Sequence, residues 1–187
     1  MSLLSTTQRW GAVARLLHWI MAAGIIVNGA WGLWMVGIAP SMKKINVFAL
    51  HKSIGLTLLA LALLRLAWRL VDKHPEVEPA PRWQLLAARL THVGLYGLIL
   101  AIPLSGWWFN SASGYPLQWF KHFKVPAMGG RDSDLAHIAL VAHQYLFWLL
   151  VAALVLHIGA ALKHHFVDRD NTLTRMLPLA RRKPSSY

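Results

Sequence analysis

No cysteine occurs anywhere in the chain. That absence excludes disulfide frameworks, iron–sulfur clusters, thiolate zinc sites and covalent CxxCH haem attachment, so any haem would be held through other ligands. Acidic residues are scarce as well: seven Asp and Glu face nineteen Lys and Arg, a formal net charge of +12. Such an excess would suit nucleic acid, but the basic residues flank apolar stretches and do not stripe one face. They read as topology signals and lipid-headgroup contacts, with no nucleic-acid partner. Internal repeats, low-complexity tracts and a second domain are also lacking, so residues 1–187 read as a single unit. No cleavable signal peptide is evident, because Arg9, Arg15 and His18 lead straight into a full-length span.

What the chain has in abundance is apolar surface. It is 56% hydrophobic with mean hydropathy +0.43, too greasy for a soluble domain of this size. The expectation is an all-α membrane protein, a four-transmembrane-helix bundle. The spans run from Arg15 to Val36, Phe48 to Leu70, Leu90 to Phe109 and His137 to His165. Trp19, Trp31 and Trp34 sit toward the ends of the first, where indoles favour the interface. A short turn, GIAPSMKKINV, joins spans one and two, and the Pro-rich loop HPEVEPAPRWQ joins two and three. Pro103 and Gly106 near the far end of span three are tolerable where neighbours satisfy the freed backbone. The longest loop, residues 110–136, contains LQWFKHF, a mixed aromatic and basic run expected to lie on the membrane surface as a short helix. Thirteen of the nineteen Lys and Arg fall in the N-terminal lead, the second connection and the C-terminal tail. The positive-inside rule then places both termini in the cytoplasm.

Histidine placement points to chemistry. His143 and His157 are fourteen residues apart, which returns a helix to within about 40° of one face and separates the rings by about 21 Å. Ionisable groups inside spans are costly and usually functional. With this topology His18 shares a level with His157, and His51 shares the other level with His143. Two buried histidine pairs, one per leaflet, suit two six-coordinate b-type haems, each iron taking an imidazole above and below the ring. A structural zinc site needs four ligands in one place, and these pairs stand roughly 20 Å apart. A haem-free transporter relaying protons through the histidines is the alternative that the residues leave open. Gly29 and Gly32 on the His18 face, and Gly55 one turn after His51, would admit a macrocycle edge, or serve close helix packing. His92 is a candidate contact for a haem propionate, a quinone or a lipid. His137 lies about 120° off the His143 face and is a poor ligand. His74 and His122 fall in loops, and no role is assigned to them.

RLLHWIMA in span one, LHKSIG opening span two, HVGLYGLILAIPLSG in span three and LHIGAALKHHFVDRDNTLTRMLP at the end resemble the bacterial cytochrome b561 family. The match covers nearly the whole chain, with the motifs in the family's order. The resemblance implies a dihaem cytochrome of the bacterial inner membrane, with His18, His51, His143 and His157 as iron ligands and two haem b as cofactors. It further implies electron exchange with quinone, in part of the family as superoxide oxidation coupled to ubiquinone reduction.

In that setting the partners would be membrane lipids, quinone, and superoxide or another periplasmic electron donor. Lys43, Lys44, Lys52, Lys121, Lys124 and Arg131 on the outward loops would steer an anion toward the outer haem. His164 follows His157 by seven residues, about 20° off its direction and about 10 Å further along, and is the expected quinone contact with His92 competing. A quinol-oxidising subunit serving a periplasmic partner, with electron flow reversed, and a haem-binding anchor for a larger complex are the other readings. The NTLTRMLP tail has no chemical role at this level.

Overall fold

A computed structural model describes residues 2–73, 75–76, 78 and 80–177. His74 and the basic tail from residue 178 onward lie outside the described residues. Four helices account for most of the chain: α1 (Ala12–Val36), α2 (Met42–Val71), α3 (Arg82–Ala112) and α4 (Ser133–Phe166). Each is long and apolar enough to cross a bilayer.

The helices begin earlier than hydropathy implies. Met42–Val47, expected in a turn, already belongs to α2, and the Ser41 hydroxyl caps it by accepting from the Lys44 N–H at 3.2 Å. Trp83 and Gln84, expected in the Pro-rich loop, lie in the first turn of α3 behind Pro81. Hydropathy marks only the part of a helix that meets hydrocarbon. The hydrogen-bond ladder runs on through the interface until a proline or a cap stops it.

A second correction concerns LQWFKHF, which forms a hairpin and not a surface helix. Strands β1 (Gln118–Trp119) and β2 (Phe123–Lys124) pair antiparallel. The turn puts Phe120 at φ 44° and Lys121 at φ 65°, and the His122 N–H donates to the Trp119 carbonyl at 2.9 Å. Left-handed backbone is unfavourable for such side chains, so tertiary contacts must hold it. The Phe120 N–H donates to the Ser53 hydroxyl at 2.9 Å, the Trp119 indole donates to the Thr57 hydroxyl at 3.0 Å, and Trp119 stacks on Phe123. The hairpin thus sits against α2 one turn beyond His51.

Helix α1 packs on α2, α2 on α3 and α3 on α4, whereas α4 makes no comparable contact with α1 or α2. The buried cluster of Leu95, Leu98 and Leu150 lies at the α3–α4 seam. Of the 34 residues of α4, only Ala139 and Leu150 are buried. The side of α4 toward α1 and α2 is the loosely packed one: Phe147 reaches Gly29, and the histidine pairs stand across it on either side of that contact.

One end of the bundle is closed by a clasp. Ser5 donates to Asp72 through its N–H (2.8 Å) and its hydroxyl (2.6 Å). The carbonyls of Met176 and Leu177 accept from the Trp19 indole and from Arg9 and Arg15. Arg175 pairs with Glu78 at 2.7 Å and donates to the Glu76 carbonyl. This clasp is the work of the NTLTRMLP segment as far as Leu177; Pro178 lies outside the described residues. The N-terminal lead, the α2–α3 connection and the start of the tail share this end. The α1–α2 turn and the hairpin share the other.

Candidate functional site

The two histidine pairs expected from depth come together. His18 on α1 faces His157 on α4, and His51 on α2 faces His143 on α4, each with ring centres 6.3 Å apart. A metal-bound imidazole nitrogen lies about 2.0 Å from the metal and about 1.2 Å from its own ring centre, so two imidazoles opposed on one iron put their ring centres about 6.4 Å apart. Both pairs match that spacing. His92 also approaches His157, at 5.4 Å, which is short for an opposed pair and suits a neighbour of the candidate ligand.

The hydrogen bonds around the rings differ between levels. At the hairpin end, Nδ1 of His143 lies 2.9 Å from the Ile102 carbonyl and 3.1 Å from the Ser105 hydroxyl. A carbonyl only accepts, so Nδ1 carries the proton and Nε2 keeps its lone pair for a metal. His51 has a buried Nδ1 with no protein partner, and the Asn28 amide oxygen is likewise buried without one. A Cβ on Gly32 would stand 3.1 Å from the His51 ring, and one on Gly106 3.1 Å from the His143 ring. The free lone pair of His143, the orphaned buried polar atoms of His51 and Asn28, and the glycines against both rings together fit a flat prosthetic group at this level. Gly55 abuts Asn28 and Gly29 abuts Phe147, so of the glycines singled out from sequence Gly32 alone touches a paired ring.

At the clasp end a guanidinium takes the place of the carbonyl. The Arg65 Nη1 lies 3.0 Å from Nδ1 of His18, and both Arg65 and Arg69 lie over the ring of Tyr96. Arg65, Ser105 and Asn28 carry no sequence-based assignment to the site, and Gly106 enters there only as a tolerated break in span three. A signal was present, because His18–Gly32, His51–Arg65 and His92–Gly106 repeat the fourteen-residue interval of His143–His157. All four helices use the same interval to place one residue at each level.

The remaining candidates are scattered. His164 lies beyond the clasp-end pair with its Nδ1 2.7 Å from Asp170 and 3.1 Å from Asp168, and Lys163 holds Asp168 in turn. At the hairpin end Lys52 donates to Asn110 at 2.8 Å and Lys121 to Asn46 at 3.1 Å. Lys43 lies over Trp34, Lys44 over Phe48, and Arg131 packs against Gly114. Lys124 lines a small cavity of about 140 Å³ with Asn110, Ser111 and Tyr115. The six basic residues therefore share one end of the bundle without converging on one point. At the clasp, burial pushes the Asp72 carboxyl up, but its hydrogen bonds, led by those from Ser5, outweigh this and hold it below the usual carboxylate range.

Comparison with known proteins shows the family. The family model for prokaryotic cytochrome b561 matches residues 9–179. The chain is 39% identical over 183 residues to cytochrome b561 homolog 2 of Escherichia coli K12, covering 95% of each protein. It is 33% identical over 168 residues to cytochrome b561 homolog 1 of the same organism, covering 87% of this chain and 93% of that protein. It is 30% identical over 170 residues to the probable superoxide oxidase CybB of Yersinia pestis, covering 88% and 93%.

Proposed function

This chain belongs to the prokaryotic cytochrome b561 family of bacterial membrane electron-transfer proteins, and from that membership we propose that it holds two b haems as a path across the bilayer. His18 and His157 would ligate one iron, His51 and His143 the other. The observation that carries this reading is the equal 6.3 Å spacing of the two opposed imidazole pairs. Each bound haem supplies a reversible one-electron carrier, while the protein sets its distance, potential and access. With a histidine from α4 and one from α1 or α2 given to each iron, the protein would hold the haems as electron carriers and would leave an electron donor to approach from outside the bundle.

The positive-inside count supports a bacterial inner-membrane protein with its clasp end, and both termini, in the cytoplasm. The hairpin end then faces the periplasm. Its basic residues, Lys43, Lys44, Lys52, Lys121, Lys124 and Arg131, favour an anionic donor, and the resemblance to a probable superoxide oxidase supports superoxide. Two superoxide ions each give one electron and leave as dioxygen; two electrons and two protons convert ubiquinone to ubiquinol near the cytoplasmic face. His164, beyond the inner pair, would bond the quinone oxygen and pass protons to it.

Haem content tests the reading. Purified protein should carry two low-spin b haems per chain by pyridine haemochrome. His51→Ala should remove the outer haem and leave the inner one, and His18→Ala the reverse. One haem per chain, or both variants depleting the same centre, would overturn the pairing. Haem reduction by quinol but not by a superoxide pulse would favour a quinol-oxidising subunit.

A further inference from the structure

The two levels share one plan with one substitution in it. Each ligand on α4 is flanked by a residue of α3, Gly106 beside His143 and His92 beside His157. Each partner ligand is flanked across the α1–α2 seam, by Gly32 beside His51 and by Arg65 beside His18. The outer level thus presents two glycines where the inner level presents Arg65 and His92.

Arg65 turns inward, half-buried, two turns before the end of α2. A cation at that depth is costly unless it is paired. Among the described residues no acidic side chain pairs with it. Asp72 is held by Ser5, Glu78 by Arg175, and Asp168 and Asp170 by Lys163 and His164. Asp132 and Asp134 open α4 at the opposite end, and Glu76 lies in the α2–α3 connection. Among the described residues the hydrogen-bond partner of Arg65 is a neutral nitrogen, Nδ1 of His18.

That contact cannot survive haem ligation unchanged. Arg is a donor only, so its bond to Nδ1 puts the His18 proton on Nε2. A neutral imidazole bound to iron through Nε2 carries its proton on Nδ1, and two donors would then face each other at 3.0 Å. Arg65 must exchange His18 for an acceptor, and the incoming group carries two carboxylates of its own.

We infer that Arg65 is the anchor for a propionate carboxylate of the inner haem, released by His18 as the iron binds. This rests on the proposed haem pairing. A guanidinium matches a carboxylate in charge and in its two-pronged geometry, and it stacks on an aromatic face as Arg65 does on Tyr96. The glycines of the outer level provide no such donor, so the two sites differ in what they ask of the macrocycle's acidic edge.

The test is reconstitution of protein expressed without haem, in a His51→Ala background where only the inner pair can load. Protohaem and its dimethyl ester, which lacks the carboxylates, are titrated and followed by the Soret band. The parent should prefer protohaem by about ten- to a hundred-fold, the range of a charge-assisted hydrogen bond. Arg65→Gln should lose most of that preference through weaker protohaem binding, and Arg65→Lys should retain part of it. In the otherwise unmutated chain, outer-haem loading of Arg65→Gln reports that the bundle is folded. An undiminished preference in Arg65→Gln would overturn the assignment. So would a change confined to quinone kinetics. No haem uptake in the His51→Ala parent would instead overturn the pairing on which the assignment rests.

Discussion

Gly106 offers a steric probe of the outer site that leaves every proposed ligand in place. A Cβ there would stand 3.1 Å from Cε1 and 3.2 Å from Nδ1 of His143, so the ring must retreat by a few tenths of an ångström. Retreat is resisted by the Nδ1 bond to the Ile102 carbonyl at 2.9 Å, made from the same helix that carries Gly106. Overpacking costs about 1–3 kcal/mol and a strained hydrogen bond about 0.5–1.5 kcal/mol, so Gly106→Ala should weaken outer-haem loading by roughly 2–4 kcal/mol, about thirty- to a thousand-fold. Gly106→Val should abolish it. Gly97, on the same helix with nothing within 4 Å of an added Cβ, is the control, and Gly97→Ala should load both haems normally. Haem titration of each variant, with the inner centre as internal standard, gives the comparison. Normal filling of the outer centre in both Gly106→Ala and Gly106→Val would refute the idea that this glycine makes room for a ligated His143.

Three further outcomes are expected. His164→Ala should leave both haem spectra intact while slowing electron exchange with ubiquinone at least several-fold in stopped-flow; unchanged kinetics would move the quinone site, and loss of a haem would make His164 a ligand. Haem reduction by superoxide should slow as ionic strength rises, because attraction between the anion and the basic hairpin end is screened, and should slow again in Lys124→Gln; a rate indifferent to salt would discard steering. Asp72 titrates below the usual carboxylate range in the folded chain, so the clasp it makes with Ser5 is fully present above about pH 4 and is lost as pH falls through that lowered value. The protection factors of residues 2–10, taken against the intrinsic exchange rate at each pH, should therefore fall in acid, and Asp72→Asn should reproduce the loss at neutral pH; protection unchanged in that variant would show the clasp is held elsewhere.

The number of helices, their approximate extent and the level of each histidine follow from the sequence alone. Spanning a bilayer imposes a length and a hydropathy that no tertiary contact has to supply, and a helix converts residue number directly into depth. His18, His51, His143 and His157 are therefore legible as two levels, and the fourteen-residue interval recurs in the other three helices at Gly32, Arg65 and the pair His92 and Gly106. Which helices approach and which stand apart was not legible, because nearly every face of these helices is apolar and periodicity singles out none of them. Only packing decides that α4 packs on α3 and only loosely toward α1 and α2, that Arg65 meets His18 while Lys52 turns to Asn110, and that Met176 and Leu177 receive the donors of α1. The hairpin at Trp119–Phe123 lies furthest from local inference: its left-handed turn is unfavourable for Phe120 and Lys121 in isolation and exists because Ser53 and Thr57, more than sixty residues earlier, hold it from α2.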